Sequence, residues 1–197
     1  MTHPFDARPI IVAIAGPNGA GKSTFYDAFL SNTDLRFISA DNIARLMNIG
    51  AYDAAALAEG LRQELVAAGE SFIFETVFSD PVGAKVGFLC AAHAGGYHIA
   101  LCFVGLDSAL TSDDRVAMRV LQGGHDVPPE KVRDRYARSL ENLARAIGKL
   151  PLVWVYDNSD LSSPFRKIAE LEDGRMTKVH APLPAWLTTV LSRVTLG

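Results

Sequence analysis

The chain has 197 residues, of which 49% are hydrophobic and 21% charged, with a net charge of −3 and a pI near 5.9. This length suits one α/β domain, so we expect a single domain over residues 1–197. The slight negative charge gives no general attraction to nucleic acid or to an anionic membrane, and we expect neither as a partner. Cys90 and Cys102 lie in apolar stretches, as buried thiols do in a reducing compartment, so we predict a cytoplasmic protein.

Strands and helices are predicted to alternate along most of the chain. The first apolar run is rich in β-branched residues, which is typical of a strand buried on both faces of a parallel sheet. The predicted strands are 10–15, 35–39, 71–75, 97–104 and 152–156, and the predicted helices are 22–30, 52–68, 81–94, 108–121 and 129–149. The final segments are predicted as a helix over 162–171, an edge strand over 175–180 and a terminal helix over 183–193. This alternation predicts an α/β fold with a parallel, about five-stranded sheet between helical layers.

Residues 16–23 read GPNGAGKS and fit the phosphate-binding pattern G-x-x-x-x-G-K-[ST] between a predicted strand and a predicted helix. Glycines allow several backbone N–H groups to converge on one anion. Lys22 adds a mobile positive charge, and the Ser23 hydroxyl is a metal ligand for Mg²⁺. We therefore predict a P-loop NTPase fold with ATP and Mg²⁺ as cofactors. The predicted nucleotide-binding residues are Gly16, Pro17, Asn18, Gly19, Ala20, Gly21, Lys22, Ser23 and Thr24.

Two other classes of P-loop protein are disfavoured. Transporter-type ATPases share the string GPNGAGKST, and LQGGH at 121–125 and the strand ending at Asp157 resemble their later motifs. However, only 15 residues precede Gly16, Asn158 and not Glu follows Asp157, and the two later motifs are too widely spaced. A guanine-reading N-K-x-D motif is absent from the sequence, so we favour adenine over guanine.

Acidic residues follow two of the predicted strands. Asp41 comes just after the second strand, and the carboxyl edge of a parallel sheet is where ligands bind. Asp41 is therefore a candidate catalytic base for a hydroxyl acceptor, with the N-cap of a helix over 42–47 as the alternative role. Glu75 and Thr76 end the third strand, where they could hold Mg²⁺ through water or bind substrate hydroxyls.

Arginines concentrate between residues 111 and 149. The predicted helix after Pro129 has one stripe of polar and basic residues, and a shorter stripe occupies the preceding helix. The members are Lys131, Arg135, Arg138, Asn142 and Arg145 on the later helix, and Arg115 and Arg119 on the earlier one. Because a Gly-rich segment joins the two helices, we predict a lid over about 112–149 that brings cations to the triphosphate. A solvated basic stripe is the alternative.

Several segments together resemble the zeta-toxin family of P-loop kinases. They are GPNGAGKST, SADNIAR, FETVFS, RVLQGGHDVPPEKVRDRYARSLENL and VYDNS, which span about 10–159. The resemblance implies ATP-dependent phosphorylation of a hydroxyl group of UDP-N-acetylglucosamine. It also implies that Asp41 is the catalytic base, that Arg119 is a lid arginine, and that Lys22 and Ser23 bind the phosphates and Mg²⁺.

The chain also departs from that family. Where the plasmid toxins have an E-G-T-G-R-like segment, residues 75–79 read ETVFS, so an arginine that helps to hold the substrate is missing. Arg135 is one candidate for the second lid cation, and His125, a candidate substrate contact, is the other. We therefore expect a small-molecule kinase whose hydroxyl acceptor is a nucleotide sugar, and a toxin with an antitoxin partner. The alternative is an ATP-binding regulatory module, or an ATPase without a small-molecule acceptor.

Overall fold

A computed structural model describes residues 4–121 and 128–194 of the chain. Its strands are β1 (Ile10–Ala15), β2 (Arg36–Ile38), β3 (Phe72–Thr76), β4 (His98–Gly105), β5 (Leu152–Asp157), β6 (Arg166–Glu172) and β7 (Arg175–Val179). They form one seven-stranded sheet in the order β2-β3-β1-β4-β5-β6-β7. The first five strands of that order pair in parallel, whereas β6 and β7 pair antiparallel. The predicted α/β fold is thus confirmed, and the predicted parallel pairing holds for β2-β3-β1-β4-β5.

The helices are α1 (Lys22–Phe29), α2 (Ala40–Met47), α3 (Ala51–Ala67), α4 (Ala84–Ala94), α5 (Ala109–Leu121), α6 (Pro129–Ile147) and α7 (Ala185–Leu191). Helices α1 to α6 lie in the connections between the parallel strands, and α7 follows the last strand. A single 3-10 turn, Pro4–Asp6, precedes β1. Among the described residues, no helix is both long and apolar enough to cross a membrane.

Hydrophobic clusters cover both faces of the sheet. Alternate residues of a strand point to opposite faces, so Ile11 and Ala13 of β1 belong to one cluster and Val12 and Ile14 to the other. All six residues of β1 are buried, because helices pack on both sides of this central strand. The first cluster includes residues of α3, α4, α6 and α7, and the second includes Phe25 of α1. The layers hold the carboxyl ends of β1, β2 and β3 side by side.

The sheet has seven strands, so the predicted number of about five is wrong. The segment 162–171 was predicted as a helix, but from Arg166 onward it belongs to β6, so this prediction is wrong. This strand pairs with the outer edge of β5, whose backbone N–H and C=O groups would otherwise lack partners. The turn from β6 to β7 is formed by Asp173 and Gly174, both at positive φ (47° and 75°), as tight hairpin turns require. The predicted edge strand is confirmed as β7.

The two cysteines are free thiols. Cys102 lies in β4 and is buried, as predicted, whereas Cys90 on α4 is half-buried. Burial raises the pKa of Cys102 to about 12, although the nearby charge of Lys167 opposes the shift. The Cys102 side chain is therefore a neutral, apolar part of the core at physiological pH.

Candidate active site

The loop between β1 and α1 has the geometry of a phosphate-binding loop. A Cβ atom at Gly16 would lie 2.1 Å from the backbone oxygen of Val104, so no larger residue fits beside β4. Gly19 has φ 72°, and a Cβ atom there would approach the side chain of Arg115 to 3.0 Å. The chain then enters α1 at Lys22, and the first turn of a helix leaves backbone N–H groups available to an anion.

Lys22 lies back across this loop. Its Nζ donates a hydrogen bond to the backbone oxygen of Pro17 at 3.0 Å, and the residue is half-buried. The ammonium group is therefore held over the loop rather than extended into solvent. In this arrangement it can reach an anion bound by the backbone N–H groups of 16–23.

Glu75 connects the loop to the neighbouring strand ends. The Ser23 hydroxyl donates to Glu75 Oε2 at 2.9 Å, and the Ser39 hydroxyl donates to Glu75 Oε1. The strand pairing explains why these side chains meet, because β3 lies between β1 and β2. Phe74, which precedes Glu75, is opposite Ile38, which precedes Ser39. Glu75 was predicted at this sheet edge, but its pairing with Ser39 was not.

Ser39, and not Asp41, caps helix α2. The helix begins at Ala40, and the Ser39 hydroxyl oxygen accepts a hydrogen bond from the backbone N–H of Asn42 at 3.2 Å. The alternative role of Asp41 as the N-cap is therefore wrong. Asp41 lies exposed in the first turn of α2, where the positive end of the helix dipole favours a carboxylate.

Oxygen ligands of the kind that Mg²⁺ prefers lie together at this edge. Mg²⁺ is commonly bound by one or two protein oxygens together with substrate phosphates and water. The Ser23 hydroxyl and the Glu75 carboxylate fit that pattern, since they are 2.9 Å apart beside the phosphate-binding loop. Within 4–121 and 128–194 there is no group of three or more His, Cys, Asp or Glu residues that could hold a metal by themselves.

Asp157, at the end of β5, is engaged in a separate network. Its carboxylate accepts hydrogen bonds from Ser159 Oγ at 2.5 Å, Arg166 Nη2 at 3.1 Å and Trp186 Nε1 at 3.4 Å. Asp157 itself is 7% exposed. The Asp157 carboxylate is therefore held by donors from this chain.

Asn158 links the end of β5 to the phosphate-binding loop. Its Nδ2 donates to the backbone oxygen of Ala20 at 2.9 Å, and its Oδ1 accepts from the backbone N–H of Phe165 at 3.2 Å. A second link comes from α5, where Ser112 donates to the backbone oxygen of Asn18 at 2.5 Å. Neither residue was predicted to have a role: Asn158 was noted only in comparison with other P-loop proteins, within the segment VYDNS, and Ser112 stands in no motif.

The arginines of α5 have different surroundings. Arg115 packs against Gly19 and donates from Nη2 to the backbone oxygen of Ser159 at 3.0 Å, so it connects the loop after β5 to α5. Arg119 belongs to α5 by its backbone, but its side chain is outside the described part of the structure. His125 is also outside the described residues. The Arg115 side chain is thus bound to the protein. That Arg119 points toward the triphosphate stays a prediction.

The members of the predicted basic stripe on helix α6 have two kinds of surroundings. Near its start, Arg135 is half-buried and has no ion-pair partner in the described ranges, whereas Arg138 lies 3.6 Å from Asp134. Further along, Asn142 is 1% exposed, so this member of the predicted stripe is in fact buried. Arg145 donates to Asn142 Oδ1 at 2.9 Å. Asn142 and Arg145, at the far end of the stripe, therefore contact protein groups.

Two further contacts fasten α6 to its neighbours. Arg133 Nε lies 2.9 Å from Asp113 Oδ2 on α5, and Tyr136 donates to the backbone oxygen of Leu106 at 3.0 Å. Burial raises the pKa of Tyr136 to about 12, with a further contribution from the charges of Asp107 and Asp157. Tyr136 is therefore a neutral hydrogen-bond donor at physiological pH.

A protein-family model gives one comparison with known proteins. The model described as zeta toxin matches residues 48–167, which is more than half of the chain. The matched part contains Glu75 and the helices α5 and α6, whereas the loop 16–23 and Asp41 precede it. Among curated proteins, none matches the chain by sequence.

Solved structures resemble the fold at low sequence identity. A chain of the AvrRxo1-ORF1:ORF2 complex with ATP has a TM-score of 0.69 and 14% identity, over 96% of this chain and 65% of that chain. A chain of the Pnkp1/Rnl/Hen1 RNA repair complex has a TM-score of 0.56 and 16% identity, over 90% and 51%. A chain of the PezAT chromosomal toxin-antitoxin system of Streptococcus pneumoniae has a TM-score of 0.53 and 15% identity, over 96% and 79%. The present chain thus spans less than two thirds of the AvrRxo1 chain, and the likeness concerns the fold.

Proposed function

The chain belongs to the zeta-toxin family, and from that premise we propose that it is an ATP-dependent kinase that phosphorylates a hydroxyl group of a small molecule. The candidate acceptor is a UDP-N-acetyl sugar. We also propose that residues 1–197 form one kinase-like domain with a lid over about 112–149. The observation that carries the proposal is the connection from Ser23 through Glu75 to Ser39, which links the phosphate-binding loop to the helix that bears Asp41.

In the proposed reaction the phosphates of ATP lie on the backbone N–H groups of 16–23. Lys22 neutralises negative charge there, since its ammonium group already lies over the loop. Bound Mg²⁺ would be held by Ser23, with Glu75 beside it, and would supply further charge neutralisation on the phosphates. The side chains of Asn158 and Ser112 support the loop from behind through the backbone oxygens of Ala20 and Asn18.

Asp41 is the proposed catalytic base. Its carboxylate takes the proton of the acceptor hydroxyl, and the acceptor oxygen forms a bond to the γ-phosphorus. The bond from that phosphorus to the β–γ bridging oxygen breaks, and ADP leaves with the electron pair. Because Ser39 caps the helix, the Asp41 side chain is not engaged in capping, which supports the assignment.

The remaining proposed roles belong to the acceptor side and the lid. Glu75 and Thr76 end β3 next to the phosphate-binding loop, which supports a role in binding acceptor hydroxyls. Arg119 and Arg135 are the proposed lid cations that stabilise charge on the transferring phosphoryl group. His125 is the alternative to Arg135 and a candidate acceptor contact.

The partner proposal follows from family membership. The PezAT structure is described as a toxin-antitoxin system, and its fold is similar to that of this chain. We propose that the chain acts as the toxin of such a pair and has an antitoxin protein as its partner. Co-expression with genes adjacent to its own, followed by purification of a stable complex, would test this part separately from the chemistry.

A kinetic experiment tests the proposed reaction. ATP consumption and phosphorylated product are measured with Mg²⁺ over a panel of UDP-sugars, for the wild type, Asp41→Asn and the control Asp53→Asn. Asp53 is an exposed carboxylate in the first turn of α3, so it matches Asp41 in setting. We expect Asp41→Asn to lower kcat by about 10²–10⁴-fold with little change in the KM for ATP, because a general base contributes about that much.

Two outcomes would contradict the proposal. Undiminished turnover by Asp41→Asn would remove Asp41 as the base, although not the nucleotide site. A wild-type protein whose melting temperature rises with ATP, but which phosphorylates no acceptor and is tolerated on overexpression, would favour the ATP-binding regulatory module.

A further inference from the structure

The segment between β3 and α4 has an unusual backbone at the point where it leaves the candidate site. Phe78 has φ 61°, in the left-handed region that residues other than glycine seldom adopt, and its side chain is 1% exposed. Its backbone N–H donates to Thr76 Oγ1 at 3.1 Å. Two residues later, the Asp80 carboxylate accepts hydrogen bonds from the backbone N–H groups of Ala84 and Lys85 in the first turn of α4. Such a conformation persists only where the surroundings hold it from several sides.

Helix α6 holds this backbone conformation from a second side. Asn142 Nδ2 donates to the backbone oxygens of Phe78 at 2.9 Å and Asp80 at 2.8 Å. Asn142 Oδ1 accepts from Arg145 Nη1, which also lies 3.4 Å from the backbone oxygen of Pro81. Both amide hydrogens and the amide oxygen of Asn142 are therefore used, and Asn142 is 1% exposed. A buried and fully bonded amide of this kind specifies one conformation of the segment it contacts.

This segment continues directly from the proposed phosphoryl-transfer site. In the pairing of β1 with β3, Ala15 is opposite Thr76, so the chain after Thr76 leaves the sheet beside the start of the phosphate-binding loop. Among the described residues, neither the hydroxyl of Thr76 nor that of Ser79 donates a hydrogen bond to a protein atom. These two hydroxyls could therefore donate to a substrate that carries several oxygen atoms, such as a sugar.

We infer that Asn142 is a positioning residue for the acceptor: from the lid helix it fixes the backbone of 76–80, and thereby the hydroxyls that contact the acceptor. The inference rests on the proposed kinase function and on the proposed acceptor contact at Thr76.

The test compares Asn142→Asp with Asn142→Ala and with the control Glu141→Gln. Aspartate has nearly the shape of asparagine and retains the oxygen that accepts from Arg145, but it lacks the two amide donors. Glu141 is its exposed neighbour on α6. For each protein, kcat and KM are measured with Mg²⁺-ATP and UDP-N-acetylglucosamine, together with hydrogen–deuterium exchange of the backbone amides over 76–84.

We expect both Asn142 variants to lower kcat/KM for the sugar by about 10²-fold, since a misplacement of about 1 Å can have that effect. The KM for ATP should stay within about twofold of the wild-type value, because the phosphate-binding loop is supported by other side chains. Amide exchange over 76–84 should become faster, whereas exchange over 16–24 should not change. The Glu141→Gln protein should resemble the wild type in every measurement.

Arg145→Met tests the same idea in a variant that is expected to fold, because Arg145 is exposed. The substitution removes one hydrogen bond to Asn142, which contributes about 1 kcal/mol. We therefore expect kcat/KM for the sugar to fall by about fivefold and the KM for ATP to stay unchanged.

Equal kinetics of wild type and Asn142 variants would overturn the positioning role even if amide exchange changed. An equal rise of both KM values would also overturn it, since that is the result of general destabilisation. A wild-type protein that phosphorylates no UDP-sugar would instead overturn the proposed function, and this inference with it.

Discussion

The hydroxyl of Ser23 and the carboxylate of Glu75 lie 2.9 Å apart, so the loop after β1 is joined to the end of β3. The same carboxylate accepts a hydrogen bond from Ser39, which caps the helix that carries Asp41. One acidic side chain therefore links the ends of three neighbouring strands. If Mg²⁺ binds at Ser23, Glu75 is the side chain best suited to orient the metal and its bound water.

Glu75→Gln should weaken the metal dependence of the reaction. Glutamine keeps the size of the side chain but lacks the negative charge, and residues that support metal ligands typically contribute about 10–100-fold in metal affinity or activity. We expect the Mg²⁺ concentration for half-maximal activity to rise by about 10-fold, measured as kcat against total Mg²⁺ at saturating ATP. Glu64→Gln, an exposed carboxylate on α3, is the control. An unchanged Mg²⁺ dependence in Glu75→Gln would contradict the assignment.

Asp157→Asn should affect stability more than nucleotide binding. The Asp157 carboxylate is buried and accepts from Ser159, Arg166 and Trp186, so the substitution removes charge-assisted hydrogen bonds. The side chain of Arg166 is 46% exposed, which limits the contribution of the ion pair. We expect the free energy of unfolding in urea to fall by about 1–3 kcal/mol, with the KM for ATP changed by less than about twofold. Loss of turnover without loss of stability would instead indicate a direct role in the chemistry.

Arg135→Met and Arg138→Met are a matched pair on α6. Arg135 has no ion-pair partner among the residues that the structure describes, whereas Arg138 lies 3.6 Å from Asp134. If Arg135 is a lid cation, its loss should lower kcat by about 10²-fold, because it removes charge stabilisation from the transition state. Arg138→Met should keep kcat within about twofold of the wild type. Equal effects of the two substitutions on kcat would indicate that Arg135 belongs to a solvated stripe.

Cys102 should make the protein less stable at alkaline pH. Burial raises its pKa from 9.0 to about 12 in the folded state. Between these values the unfolded thiol loses its proton and the folded thiol keeps it, so the free energy of unfolding falls as pH rises, by about 1.4 kcal/mol per pH unit for this group. Urea unfolding of Cys102→Ala at pH 9, 10 and 11 should therefore show a shallower decline than the wild type. Cys90→Ala, at a half-buried thiol, should change the slope less, and equal slopes for wild type and Cys102→Ala would contradict this account.

The phosphate-binding loop and the parallel strands could be predicted because their signals are local. A continuous apolar strand, a glycine-rich loop and a helix follow one another over residues 10–29, and each restricts its own backbone. Asp41 and Glu75 could also be assigned to one sheet edge, because parallel strands end on the same side. The strand β6 was missed, since a short segment of mixed polarity takes its conformation from pairing with β5.

The sequence by itself determined most of the strands and helices, although not β6, and it placed the predicted phosphate-binding loop and two acidic residues at the carboxyl edge of the sheet. Only the tertiary structure decided which polar groups meet there. Ser39 and not Asp41 caps α2, Glu75 joins Ser39 to Ser23, Asp157 is used by Arg166 and Trp186, and Asn142 holds the segment after β3. The physical reason is that backbone preference and burial depend on nearby residues in the chain, whereas each of these hydrogen bonds depends on the packing of elements that are distant in sequence.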